Sequence, residues 1–333
     1  MVAANKHTNK VPDEKSVDDN YLIKKIQENG SRIILLFLLI WNIFIFTDVK
    51  NSIRNFYQQK EAIIDEIGLL CFIAGFLFCI VINKSSRYLF KKHLNVFISN
   101  SLKGNNGAYN KNEELLLYYL EGFVYHLSFF VILFYHMKGS EYMPRAFGGT
   151  YDLKTQYQDY PQNISNQLKN MYFIAIGHSS EKLIRNLLFD RHKNDFMPLL
   201  MHHYITVSLI AYSYFSKHFI PGLPILLLHS STDILLYPMK FYRDFVGYKS
   251  ITLYICYFSF FAVWVYSRLF AYHFEVYCPL SLVLLKLSKE YFFLSLYLLF
   301  CCTALSFLNI LWFAQIIKSL LNFISRRRKK TGN

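Results

Sequence analysis

The sequence predicts an all-α polytopic membrane protein with about eight transmembrane helices. Three observations carry this. Of 333 residues, 53% are apolar and 18% aromatic, while 17% are charged, against about 25% in soluble domains. The apolar residues gather into runs of roughly 17–25, the length that crosses a bilayer as a helix. Gly and Pro number only 13 and 8, too few for a loop-rich or all-β chain. The 32 Phe and 26 Tyr suit spans and interfacial belts.

Taken in order, residues 1–31 are polar and charged and read as a cytosolic tail without a cleavable leader pattern. Residues 32–317 form the membrane region, with spans expected at 32–49, 67–83, 115–136, 171–189, 199–219, 222–238, 251–273 and 291–317. The fourth carries His178, Glu181, Lys182 and Arg185. These fall on one helical face, as an inward polar stripe of a true span or the wet face of an interfacial helix. The link between the fifth and sixth spans is expected at Pro221-Gly222. Residues 318–333 form a basic tail.

With Arg326–Lys330 in the cytosol, the cytosolic segments carry a clear excess of Lys and Arg over the lumenal loops, as the positive-inside rule requires. Of two glycosylation sequons, Asn163-Ile-Ser165 is lumenal in this orientation and Asn29-Gly-Ser31 cytosolic. The connection 137–170, rich in Tyr and holding Gly148-Gly149, is expected to cap the lumenal side.

A net charge of +14 raises the question of nucleic acid. The basic residues are spread between apolar segments, so they read as membrane flanks instead. Five of the six cysteines, all but Cys278, lie inside apolar runs without metal or redox spacing and read as small buried hydrophobes.

The chemistry concentrates between Asp195 and Arg243. One apolar span holds His202, His203 and Thr206, and the next holds His229 and Asp233. Ionisable groups inside a span are costly and are functional candidates by default. His202 and Thr206 share a face, as do His229 and Asp233, each pair being one turn apart. That spacing allows Asp233 to accept the His229 N–H and set its tautomer. On antiparallel neighbours, His202, His203, His229 and Asp233 reach a common depth in the cytosolic half. A lone buried His or Asp is more often a packing residue; four such groups at matching depth favour function. Neutral imidazoles serve as base or nucleophile in acyl transfer. Three imidazoles with a carboxylate also suit zinc or iron, although no HxxHH or HEXXH spacing occurs.

The stretch resembles the signature of the ceramide synthases, membrane N-acyltransferases with a TLC domain. The matching parts are Lys193-Asn194-Asp195-Phe196, His202-His203-Tyr204-Ile205-Thr206, Ser213-Tyr214, His229-Ser230-Ser231-Thr232-Asp233 and Trp264-Val265-Tyr266-Ser267-Arg268. The chain departs from the pattern at Ser230, where the family carries Asp. The resemblance covers about residues 170–275 and implies a TLC-like core over about 110–317 in the endoplasmic reticulum membrane.

It also implies transfer of an acyl group from fatty acyl-CoA, a co-substrate rather than a cofactor, to the amine of a sphingoid base. No resident cofactor, metal or nucleic acid is expected, and a homo- or heterodimer is left open. By this resemblance His202, His203, His229 and Asp233 are catalytic, with His202 the nucleophile. Asp195, Thr206, Ser230, Lys240, Arg243 and Arg268 are substrate-binding, and Lys193, Lys240 and Arg243 face the CoA phosphates. Arg268 has a second reading, as a side chain snorkelling to the lumenal interface. The connection 274–290 is expected to influence acyl-chain length.

Overall fold

The computed structural model describes residues 66–101, 106–152, 164–191, 195–215, 217–246, 251–284 and 292–331, with single positions at 29, 32, 33, 36 and 40. The tail at 1–31 and the span expected at 32–49 lie otherwise outside the described residues. All regular structure among the described residues is helical.

Helix α1 runs Glu66–Ser101, α2 Asn106–Met137, α3 Asn166–Phe189, α4 Phe196–Phe215 and α5 Phe219–Phe241. A π-helical turn, Tyr242–Val246, ends α5. Helix α6, Ile251–Trp264, passes through a π-helical segment, Val265–Tyr277, into α7, Cys278–Leu284; α8 spans Phe292–Thr331. Among the described residues, Glu114–Met137, Ile251–Leu282 and Leu296–Leu321 are long and apolar enough to cross a membrane by length and composition. The chain is therefore an all-α membrane protein, and the count of eight spans goes beyond these three.

Helix α3 shows why composition alone undercounts the bundle. Its polar stripe points inward: His178, Glu181, Lys182 and Asn186 are buried, while Ile184, Leu187, Leu188 and Phe189 are exposed. A face that is polar inside and apolar outside suits lipid rather than water. The stripe is neutralised by a residue from another helix. Lys182 Nζ donates to Glu121 Oε1 of α2 at 2.5 Å, and Glu121 is fully buried. Arg185 closes the group, 2.6 Å from Glu181 and 3.4 Å from Glu121.

On its other side α3 lies against α1. A Cβ at Gly177 would run into Phe72 O, and one at Gly75 into Ile174 O. Small residues let helix backbones approach in this way inside membranes.

The structure corrects two sequence expectations. The break between α4 and α5 lies between Phe215 and Phe219 rather than at Pro221-Gly222. The His218 N–H donates to Ser213 O at 2.8 Å, and Lys217 takes the left-handed conformation at φ 53°. Pro221 then sits in the first turn of α5, where its missing N–H has no intrahelical partner to lose. The connection expected at 274–290 is helical as far as Leu284. Its apolar residues Val276 and Leu280 pack against Leu294 and Leu298 of α8, and that burial carries the helix onward.

The described part of the connection after α2 packs against the bundle. Met143 and Tyr151 are buried, and the Arg145 backbone N–H donates to Glu275 at 2.9 Å. Gly148 adopts φ 79°, a left-handed turn that glycine enters without steric cost.

Candidate active site

A cavity of about 600 Å³ opens among α2 to α8. Its walls include Asp195, His202, His203, Thr206, His229, Ser230, Asp233, Lys240 and Arg243. Nine of the ten residues named from sequence as catalytic or substrate-binding thus face one space. The tenth, Arg268, lies just behind the wall.

Helix α4 supplies the imidazole pair. The His202 and His203 rings lie 5.4 Å apart, and His202 meets the Trp312 ring of α8 edge-on at 5.0 Å. His202 Nδ1 is buried with no hydrogen-bond partner among the described residues. Thr206 does not hold that ring: its hydroxyl donates to His202 O at 2.8 Å, one turn back along the helix.

Helix α5 supplies His229. Its Nδ1 lies 2.8 Å from Ile225 O. A carbonyl only accepts, so Nδ1 carries the proton and Nε2 keeps its lone pair. Nε2 is buried and has no partner among the described residues. In place of the expected His229–Asp233 bond, the ring bonds to the backbone carbonyl one turn back.

Asp233 turns to Arg268 instead. The guanidinium Nη2 donates to Asp233 Oδ1 at 3.1 Å and to His229 O at 3.2 Å, while Nε donates to Thr232 Oγ1 at 2.9 Å. Arg268 is 3% exposed and stacks 5.0 Å above the Trp264 ring. Snorkelling is ruled out, since the side chain points into the bundle. The π-helical segment Val265–Tyr277 begins just before this residue. Trp264 meets Trp312 edge-on at 6.4 Å, so a run of aromatic contacts joins Arg268 to His202.

Two residues on the wall were not among the site residues named from sequence. His126 of α2 lies 3.8 Å from Asp233 and stacks on Tyr237 at 5.8 Å. His178 of α3 stacks on Tyr125 at 3.3 Å. His178 was visible as part of the polar stripe; His126 is an isolated histidine in an apolar run, and only the packing reveals its neighbours.

At one end of the cavity Arg243 binds its neighbour. Nε and Nη2 both donate to Asp244, at 2.6 and 2.9 Å, and Tyr119 donates to the same carboxylate at 2.5 Å. Burial pushes the Asp244 carboxyl up, but the bonds from Arg243 and Tyr119 outweigh it and hold it below its ordinary range. Two of the five Arg243 donors are thus already engaged. Lys193 lies outside the described residues. At the other end the wall is apolar, formed by Leu280, Leu298 and Cys302. Among the described residues, no three or more His, Cys, Asp or Glu side chains group as a metal site.

The model of the TLC domain matches residues 120–318, which include every group above except Tyr119. The chain belongs to the TLC-domain family. Among curated relatives, it is 29% identical to ceramide synthase 3 of Mus musculus over 51% of this chain and 44% of that protein. It is 31% identical to ceramide synthase hyl-1 of Caenorhabditis elegans over 46% of this chain and 40% of that protein. For ceramide synthase LOH2 of Arabidopsis thaliana the figures are 27%, 40% and 45%. The chain thus spans less than half the length of each of these relatives. The TLC domain of this chain places its cavity where the matched region's helices converge.

Proposed function

We propose that this chain is a ceramide synthase, transferring the acyl group of a fatty acyl-CoA to the amine of a sphingoid base, sphinganine or sphingosine. One observation carries the reading. His202, His203 and His229 converge with Asp233 on an otherwise largely apolar cavity, and buried ring nitrogens of His202 and His229 have no partner among the described residues. An unsatisfied buried nitrogen is costly, and a bound reactant would relieve that cost.

In this reading His202 attacks the thioester carbonyl and takes the acyl group, and CoA thiolate departs. His203 and His229 move protons beside it; His229 Nε2 is already an acceptor. Arg268 holds Asp233 in place. Lys240, Arg243 and Asp195 receive the polar CoA end, while Thr206 and Ser230 line the path between. The acyl chain runs toward Leu280 and Leu298. The core over about 110–317 carries the activity in the endoplasmic reticulum membrane, with acyl-CoA as co-substrate and no further cofactor.

The test is direct. Purified full chain, given acyl-CoA and sphinganine, is expected to form ceramide detectable by mass spectrometry. His202→Ala and His203→Ala should each abolish the product while the protein still reaches the membrane. Normal ceramide output from the double variant refutes the reading. Ser230, buried on the cavity wall where the family pattern has an acid, favours a second reading: a lipid-binding TLC protein that has lost catalysis. That reading predicts lipid retained in the cavity without acyl-CoA turnover.

A further inference from the structure

We propose that His126 and Asp233 together receive the acceptor amine and that His126 takes its proton. This inference rests on the acyl-transfer reading above and assigns to α2 a role in it.

Asp233 presents two oxygens to different partners. Arg268 binds Oδ1. Oδ2 faces His126 Nε2 across 3.8 Å. That gap is too wide for a direct hydrogen bond, yet one ammonium nitrogen about 2.9 Å from each atom fits it. The imidazole is held by rings rather than by hydrogen bonds. Tyr237 stacks on it at 5.8 Å, and Tyr125 and His178 meet it edge-on at 5.1 and 5.9 Å. Its Nδ1 is buried without a partner among the described residues. Both residues line the cavity that holds His202. With Ser at 230, the second ionisable group beside Asp233 comes from α2 instead of from α5 itself.

The chemistry calls for such a group. An alkyl amine is an ammonium at neutral pH, as the lysine value of about 10.4 shows, and an ammonium has no lone pair with which to attack. Its N–H bond breaks toward His126 Nε2, the proton stays on the imidazole, and the Asp233 carboxylate balances the new charge. The freed lone pair forms the C–N bond to the acyl carbon. The bond from that carbon to its leaving group, the His202 nitrogen or CoA sulfur, breaks with its electron pair. The leaving group takes the second amine proton. Imidazolium His126 then returns its proton to solvent through the cavity mouth.

His126→Phe keeps the ring packing and removes the base. Full-length wild type and variant are compared with two acceptors, sphinganine and hydroxylamine, the latter being neutral at pH 7. The variant is expected to lose sphinganine acylation by about 100-fold or more, the usual range for a general base. Its hydroxamate formation and its KM for acyl-CoA should stay within about twofold of wild type. Equal loss with both acceptors would assign His126 a structural role and overturn the inference. So would unchanged sphinganine acylation. A wild-type chain that acylates neither acceptor overturns the acyl-transfer reading itself.

Discussion

Arg268→Met removes the cation that touches Asp233 and both ends of the His229–Thr232 turn. The side chain is 3% exposed and Asp233 about a quarter exposed. Methionine fills similar volume but leaves the Asp233 charge, Thr232 Oγ1 and His229 O without this donor. Breaking a buried ion pair from one side costs about 3–5 kcal/mol. Each kcal/mol moves a midpoint by about 2–4 °C in a chain of this order of size, so the thermal midpoint in detergent should fall by at least ~6 °C. Asp233→Asn should cost less, since its amide oxygen still accepts from Nη2. The decisive measurement is the double variant. With no cation present, neutralising Asp233 removes an orphaned charge, so the double should be more stable than Arg268→Met plus Asp233→Asn added together. Additivity within about 0.5 kcal/mol would show that Arg268 does not sense Asp233. An Arg268→Met cost below ~1 kcal/mol, the range of exposed pairs, would restore the snorkelling reading.

Gly177→Val is expected to cost about 1–3 kcal/mol, because its Cβ would strike Phe72 O across the α1–α3 contact; a midpoint equal to wild type would contradict that close approach. Asp244→Asn should lower stability at neutral pH by about 1 kcal/mol. The Asp244 carboxyl is held below its ordinary value of 3.8. Its contribution is therefore present above that value and lost as pH falls through the lower folded one. Midpoints of wild type and variant should converge at the acid end; a constant offset across pH would show that the ion pair is not the cause. Leu280→Phe, which narrows the apolar end of the cavity, should shift preference toward shorter acyl-CoAs. Each methylene lost from burial is worth ~0.8 kcal/mol, about fourfold in specificity, and an unchanged acyl profile would place the gauge elsewhere.

How much of this was legible depends on the range of the interaction. The apolar runs at 67–83, 115–136, 251–273 and 291–317 announced helices because the period and length are local properties. The pairs His202/Thr206 and His229/Asp233 were placed on shared faces by the same local geometry. Local geometry could not say which acceptor each hydroxyl or ring would choose. Thr206 and His229 both turned to a carbonyl four residues back, the nearest acceptor a helix always offers. The break between Phe215 and Phe219 was hidden for a related reason. Ser213 and His218 close it through bonds that span five residues, whereas Pro221-Gly222 merely looked like a stop.

The partnerships that sequence missed share one property: each joins a single polar group in an apolar run to a partner on another helix. Glu121 is fully buried at 61 residues' separation from Lys182, and Arg268 reaches Asp233 across 35. In lipid an isolated charge is costly wherever it lies, so a lone Glu121 or Arg268 already implied a counter-charge in another span. Charge balance within spans narrows the choice. The stripe of α3 holds two cations, Lys182 and Arg185, against one carboxylate, Glu181. Glu121 is the acid that α2 can bring to that deficit. Asp233 is the one charged residue within the 222–238 span, and Arg268 is the one cation within the 251–273 span. Pairing by deficit, rather than by spacing along one helix, is what makes the two halves of this cavity wall readable together. It leaves His126, neutral and therefore outside any charge count, as the group that only packing can reveal.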